Sequence, residues 1–158
     1  MGRGGELLPL ALADLLGPGG VIYALDRDAG ALRDLARELG ARFPDVTLHP
    51  LTADFTRPLP AALPALDGAV MANALHFVSD GHKAEVLRRI AGRLKPGGRL
   101  LLVEYNVDHG NLWVPHPLTY ARWETLARAA GLTHTRLLTK RPSSFLKEFF
   151  AAESLAPV

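Results

Sequence analysis

Apolar positions along this 158-residue chain fall into short runs that alternate between helical and strand spacing, punctuated by Gly, Pro and Asp. Leu8, Ala11, Leu12 and Leu15 share one helical face, and Gly17-Pro18 ends that helix. Pro9 is compatible with it in the first turn, where a missing N–H leaves no bond unmade. Val21 to Leu25 is a β-rich run stopping at Asp26, the pattern of a strand buried on both faces. Asp28 then predicts the cap of a second helix, with Leu32, Leu35, Ala36 and Leu39 inward and Gly40 as its stop.

Val46 to Leu51 reads as a strand, and Pro50 inside it, unable to donate to a ladder, assigns it to a sheet edge. Pro58, Pro60 and Pro64 mark a loop, and Ala69 to Ala72 is the next buried strand. Leu87, Ile90, Ala91 and Leu94 repeat at helical spacing before Lys95-Pro96-Gly97-Gly98, and Arg99 to Glu104 follows as a strong strand. After a polar, aromatic loop from Tyr105 to Pro117, Trp123, Leu126, Ala127 and Ala130 predict a helix closed by Gly131, and Thr133 to Thr139 a strand. Phe145, Leu146, Phe149 and Phe150 have helical spacing where the alternation calls for a last strand, so two readings of the tail stay open.

Strands alternating with helices imply an α/β fold, a mostly parallel sheet with helices on both faces, here as one domain over residues 1–158. Ligands in such sheets sit beyond the carboxyl ends of the strands. Gly2 to Gly5, Asp26, Asp54, Asn73 and Glu104 all fall there. A 48% hydrophobic content suffices for a core. A net charge of +2, with both signs interspersed, offers no basic tract for nucleic acid despite a pI near 9.2. The absence of cysteine excludes disulfides, zinc–thiolate sites and thiol nucleophiles and fits a reducing, cytoplasmic setting. No stretch is long enough for a bilayer. The histidines and acids have no compact ligand spacing, so no metal is expected.

Asp26 ends a strand roughly 20 residues after a glycine-rich turn, where an acid holds ribose hydroxyls, although it could instead share a turn with Asp28. Asp54, beside Phe55, could accept from an exocyclic amine or cap the turn before Arg57-Pro58. His76 is placed to act as a general base at the mouth of the sheet, or to satisfy a loop backbone. Glu104, Tyr105, Asn106, Asp108, His109, Asn111 and Trp113 offer polar groups and an aromatic for a small-molecule pocket, with a solvated loop anchored by Trp113 as the other reading.

The ordered series resembles the class I S-adenosylmethionine-dependent methyltransferases over nearly the whole chain. The carriers are Leu94-Lys95-Pro96-Gly97-Gly98-Arg99-Leu100-Leu101-Leu102-Val103-Glu104, Asn73-Ala74-Leu75-His76-Phe77 and Gly17-Pro18-Gly19-Gly20. The resemblance implies a Rossmann-like methyltransferase fold, S-adenosylmethionine as cofactor and methyl transfer; the charge pattern favours a small-molecule acceptor over DNA or RNA and leaves a protein acceptor open. The resemblance assigns Gly2, Arg3 and Gly4 to the cofactor loop and Asp26 to the ribose, with Arg27 beside the adenine. Asp54 and Phe55 would meet the adenine, and Asn73 and Ala74 the amino acid end. For such a reaction the residue reading above takes His76 as the catalytic base and Glu104, Asn106 and Trp113 as contacts to the acceptor.

The family's first strand, central between its second and fourth, has no counterpart in the sequence. The expectation is that the true chain begins upstream. A second copy filling the gap as a homodimer, or an inactive truncated relative serving binding or oligomerisation, are the alternatives. A nicotinamide-dependent oxidoreductase also uses a glycine turn and a ribose acid, but would bring a complete glycine fingerprint and a sheet parallel to its end.

Overall fold

A computed structural model describes residues 4–158, with side chains from residue 7 onward. The chain divides into two units, Met1–Leu63 and Pro64–Val158. In the first unit, helix α1 (Gly4–Leu16) leads to strand β1 (Val21–Asp26), helix α2 (Ala29–Arg42) and strand β2 (Thr47–Thr52). Leu10 and Ala13 of α1, Ile22, Leu39 and Val46 form its core, with Leu12, Phe43 and Leu48 packed against it.

Local chemistry sets α2. Asp28 sits in extended backbone, and its Oδ1 accepts from Gly30 N at 2.8 Å and Ala31 N at 3.1 Å, satisfying two donors the helix leaves open. Leu32, Leu35 and Leu39 are buried as the spacing predicts. Gly40 does not end the helix. The turn continues to Arg42 and stops at Phe43, because Pro44 disfavours helical backbone in the residue before it.

In α1 the buried positions are Leu10 and Ala13, whereas Leu15 is 82% exposed. The run is apolar on nearly every side, so spacing alone did not select its inward face. Pro9 lies inside α1 rather than at its first turn. Strands β1 and β2 pair in parallel from Val21↔Thr47 to Asp26↔Thr52, and β2, with Pro50 opposite Ala24, is an edge strand as expected.

The second unit begins with β3 (Leu66–Ala72) and a 3-10 turn (Leu75–Phe77), followed by helix α3 (Asp80–Ala91) and strand β4 (Leu94–Tyr105). Helix α4 (Tyr120–Ala129) and strands β5 (Thr133–Pro142) and β6 (Glu148–Leu155) complete it. Its sheet has the order β3-β4-β6-β5, with β3 parallel to β4 and β6 antiparallel to both neighbours. The tail is therefore a strand. Phe150 and Ala152 are fully buried while Phe149 and Ala151 are half-buried, the period-two alternation of a pleated element.

The Lys95-Pro96-Gly97-Gly98 segment is a bulge inside β4: Leu66 pairs with Leu94, and Gly68 with Arg99. Gly97 takes a φ of +73°, a left-handed value glycine adopts freely. Its N–H donates to Ala156 O at 3.2 Å, and Ala156 N donates to Gly98 O at 2.8 Å. Glu153 on β6 joins three strands, with its carboxylate 2.6 Å from Arg136 Nε of β5 and 3.4 Å from Arg99 Nε of β4.

Among the described residues, β1 and β3 are each paired along one edge only. The antiparallel β6 departs from the uniformly parallel sheet of the oxidoreductase reading. Among the described residues no helix is long and apolar enough to cross a membrane.

Two glycines separate conformational from steric demand. A Cβ at Gly40 meets nothing within 4 Å, so Gly40→Ala is expected to stabilise the protein by about 0.5–1 kcal/mol through helix propensity. A Cβ at Gly98 would lie 2.9 Å from Lys95 O and 3.2 Å from Asp67 O, so Gly98→Ala should destabilise it by about 1–3 kcal/mol. Urea denaturation of the two variants checks both signs.

Candidate active site

At the carboxyl ends of β1 and β2, two carboxylates lie on adjoining loops. Ala53 N donates to Asp26 O at 2.9 Å, which ties the Asp54 loop to the end of β1. Asp26 Oδ1 accepts from Asp28 N at 2.8 Å, and Asp54 Oδ1 accepts from Thr56 N at 2.9 Å and Thr56 Oγ1 at 2.6 Å. The protein's own hydrogen bonds thus engage one oxygen of each acid, and Asp54 Oδ2 lies 3.9 Å from Arg27 Nη1.

The Thr56 hydroxyl and amide hold the Asp54 carboxyl below its ordinary value, aided by Arg27 and Arg57 and opposed by burial. Each acid thus serves a turn, as the second sequence reading of Asp26 and Asp54 has it, and the other oxygen lies outside these bonds. Phe55 is half-buried and Arg27 exposed. Gly4 is the first residue of α1, so it opens the helix rather than forming a turn ahead of it. Gly2 and Arg3 lie outside the described residues.

In the second unit, Asn73 follows β3 with a φ of +53°, a left-handed value that asparagine tolerates better than most side chains. Its N–H donates to Val103 O at 2.9 Å, extending the β3–β4 ladder by one step. Ala74 leads into the 3-10 turn that carries His76.

Glu104 is where the sequence reading and the structure part most clearly. It lies in β4 as the strand reading expects, but strand alternation puts it on the buried face with Leu100 and Leu102 instead of toward a pocket. Its side chain is fully buried, and a buried carboxylate requires donors. His76 supplies two: its backbone N–H donates to Oε1 at 3.2 Å, and Nδ1 lies 2.8 Å from Oε2. Because a carboxylate only accepts, the proton belongs on Nδ1, and Nε2 is left as the basic nitrogen. Glu104 orients His76 and does not face solvent.

Aromatic rings surround this pair. Phe77 lies 4.3 Å from the His76 ring by centroids and Tyr105 lies 6.1 Å away, while Tyr105 stacks on Phe149 at 4.4 Å and approaches Phe145 at 5.9 Å. Phe77 and Phe145 are both more than half exposed, giving the group an accessible apolar rim. Burial first, then the charge of Glu104, raises the Tyr105 phenol above its ordinary value.

Asn106 is committed to the scaffold: its amide donates to Glu148, its Oδ1 accepts from Tyr120 N at 2.9 Å, and its N–H donates to Glu148 O. Asp108 and His109 are exposed. Asn111 Oδ1 accepts from Trp113 N and Val114 N, forming a tight turn, and Trp113 projects from it 69% exposed. The buried anchors of this loop are Val114 and Leu118, not Trp113. Sequence reasoning missed Lys83 and His116, which lie behind His76. The available signal was Lys83, at the head of the inward-facing series Val86, Leu87 and Ile90.

Residues 2–100 match the family described as "Methyltransferase domain". The acetylserotonin O-methyltransferase of Mus musculus is 34% identical over a 107-residue alignment covering 58% of this chain and 26% of that protein. A Methanosarcina mazei S-adenosylmethionine-dependent methyltransferase superposes with a TM-score of 0.70 at 17% identity, covering 95% of this chain and 87% of the other. Human N-acetylserotonin methyltransferase, solved with S-adenosylmethionine, gives 0.57 at 20% identity, covering 99% of this chain and 52% of the other. The chain belongs to the methyltransferase-domain family, among the class I S-adenosylmethionine-dependent methyltransferases, and has their Rossmann-like fold. It spans about a quarter of the length of the mouse protein.

Three variants probe these sites. A depressed carboxyl contributes stability above its ordinary range, near 3.9 for Asp, and loses it as pH falls through the lowered value. Thr56→Val removes the principal cause of that depression and should raise the Asp54 pKa, read by carboxyl NMR titration. Glu104→Ala strands the two His76 donors, each at a cost of about 1–3 kcal/mol, and should destabilise the protein more than Glu104→Gln. Urea denaturation compares the pair.

Proposed function

We propose that this protein transfers a methyl group from S-adenosylmethionine to a hydroxyl on a small aromatic acceptor. The observation that carries the reading is the buried His76–Glu104 pair beside an exposed aromatic rim, in a chain of the methyltransferase family. The two acids of the first unit fit an adenosine: each carboxylate retains an oxygen able to accept from ribose hydroxyls at Asp26 or from an exocyclic amine at Asp54. Phe55 would line the adenine side, with Arg27 next to it. Backbone groups of Asn73 and Ala74 would hold the cofactor's amino acid end, and Gly2, Arg3 and Gly4 would serve the cofactor loop.

When bound, the sulfonium supplies an already activated methyl carbon for in-line displacement. The chain's work is to align the acceptor and take its proton. His76 Nε2 accepts the hydroxyl proton as the oxygen gains the methyl group, and Glu104 stabilises the resulting imidazolium through Nδ1–H. Phe77, Phe145 and Tyr105 offer ring faces to a planar acceptor, with Trp113, exposed on the loop after β4, as a further contact. The acetylserotonin methyltransferase relative, named for an aromatic acceptor, supports this class.

Among the described residues β1 and β3 are each paired along one edge only, which favours a second reading, a binding or oligomerisation module. Titration calorimetry with S-adenosylhomocysteine and NAD separates the readings: binding of the first and no heat with the second is expected. Asp26→Ala should weaken that binding about tenfold or more, the loss of one charged hydrogen-bond acceptor. His76→Gln should leave it unchanged while lowering methyl transfer to N-acetylserotonin, taken as acceptor probe, by about 100- to 10,000-fold. Absence of any S-adenosylhomocysteine binding would leave only the module.

A further inference from the structure

Helix α3 buries Lys83, Val86, Leu87 and Ile90 along one face, so an ammonium occupies a place where a helix facing a core normally puts an apolar side chain. Lys83 is 2% exposed. Removing a charge from water to that extent is unfavourable without fixed partners, and the structure provides two. Lys83 Nζ donates to Asp80 Oδ1 and, at 2.7 Å, to the backbone carbonyl of His116. Asp80 in turn pairs through Oδ2 with Arg122 of α4 at 3.2 Å. The Lys83 bond is the leading cause of the lowered Asp80 pKa, which keeps that acid ionised.

The His116 peptide lies between Lys83 and the candidate base. Its carbonyl accepts from Lys83, and its N–H donates to the backbone carbonyl of His76 at 3.0 Å. His76 is therefore gripped from two sides, by Glu104 through its own N–H and Nδ1 and by His116 through its carbonyl. Pro115 and Pro117 flank His116, restricting its backbone, and Val114, Pro117 and Leu118 around it are buried.

We propose that Lys83 is a positioning residue, whose buried ammonium holds the His116 peptide against His76 and so fixes the imidazole on Glu104. This rests on the reading of His76 as the base, but it makes a claim of its own about structure. Lys83 touches neither acceptor nor cofactor. It fastens the loop after β4 to the first turn of α3, and without it the His76 carbonyl shares its donor with a loop free to lift.

The full chain, labelled with 15N-histidine and with backbone 15N, tests this by NMR. Two signals report: the low-field Nδ1–H resonance of His76 and the hydrogen-exchange rate of the His116 amide. The amides of Leu100 and Leu102 in β4 monitor global opening. In Lys83→Met, His116 exchange should quicken about 10- to 100-fold, the loss of one charged hydrogen bond, and the His76 resonance should broaden or vanish while Leu100 and Leu102 stay protected. Lys83→Arg, which keeps a donor, should recover part of both signals.

A folded Lys83→Met protein with both signals unchanged overturns the proposal. Should that variant not fold, Asp80→Asn serves instead, since Asp80 is half exposed and holds Lys83 from the outside. Faster His116 exchange there supports the strap, and unchanged exchange overturns it. Loss of the base reading is distinguishable, because it appears as undiminished transfer by His76→Gln while the exchange result for Lys83 stands.

Discussion

The buried bond between His76 and Glu104 is the constraint on which the second unit's chemistry depends. A carboxylate on the core face of β4 is tolerable only with donors, and the 3-10 turn after β3 delivers two from one residue. That requirement assigns the proton to Nδ1 and leaves Nε2 without a share in the bond. It also explains why two neighbouring parallel strands carry the pair: β3 ends at the turn bearing His76, and β4 at the acid. Sheet register and proton chemistry are one specification here.

A different economy operates in the first unit. Asp26 and Asp54 are held by short-range bonds to residues two positions on, so their geometry is written locally and needs little packing. Such acids suit a ligand supplying its own donors. Buried Glu104 is positioned by the sheet, while half-exposed Asp54 is positioned by its own loop.

Local features were legible in the sequence where one residue's chemistry decides them. Asp28 as a cap, Pro50 as an edge marker and Gly131 as a left-handed stop with a φ of +86° are of this kind. Features set by tertiary packing were not. The inward face of α1 was hidden because leucine and alanine occur all around it. Gly40 resembled a stop only because the effect of Pro44 was left out. The Phe-rich tail fits either period until a neighbouring strand chooses, and β4 and β5 together choose two. Glu104 was placed at the mouth of the sheet by its position at the end of an apolar run, yet parity with Leu100 and Leu102 already pointed it inward. Lys83 escaped because lysine is ordinarily read as solvated surface.

The antiparallel position of β6 bears on how the chain is made. It lies between β4 and β5 but follows both in sequence, so a growing polypeptide presents those two before the strand that joins them exists. Arg99 and Arg136 must wait for the same late residue, Glu153, to neutralise them across the seam. During synthesis α3 and β4 can settle on β3 through nearby partners, whereas β5 stays without a neighbour until the last strand emerges. The central seam of this unit is therefore the last to close, and the speed of the β5–β6 hairpin sets whether it closes before strands of different molecules meet.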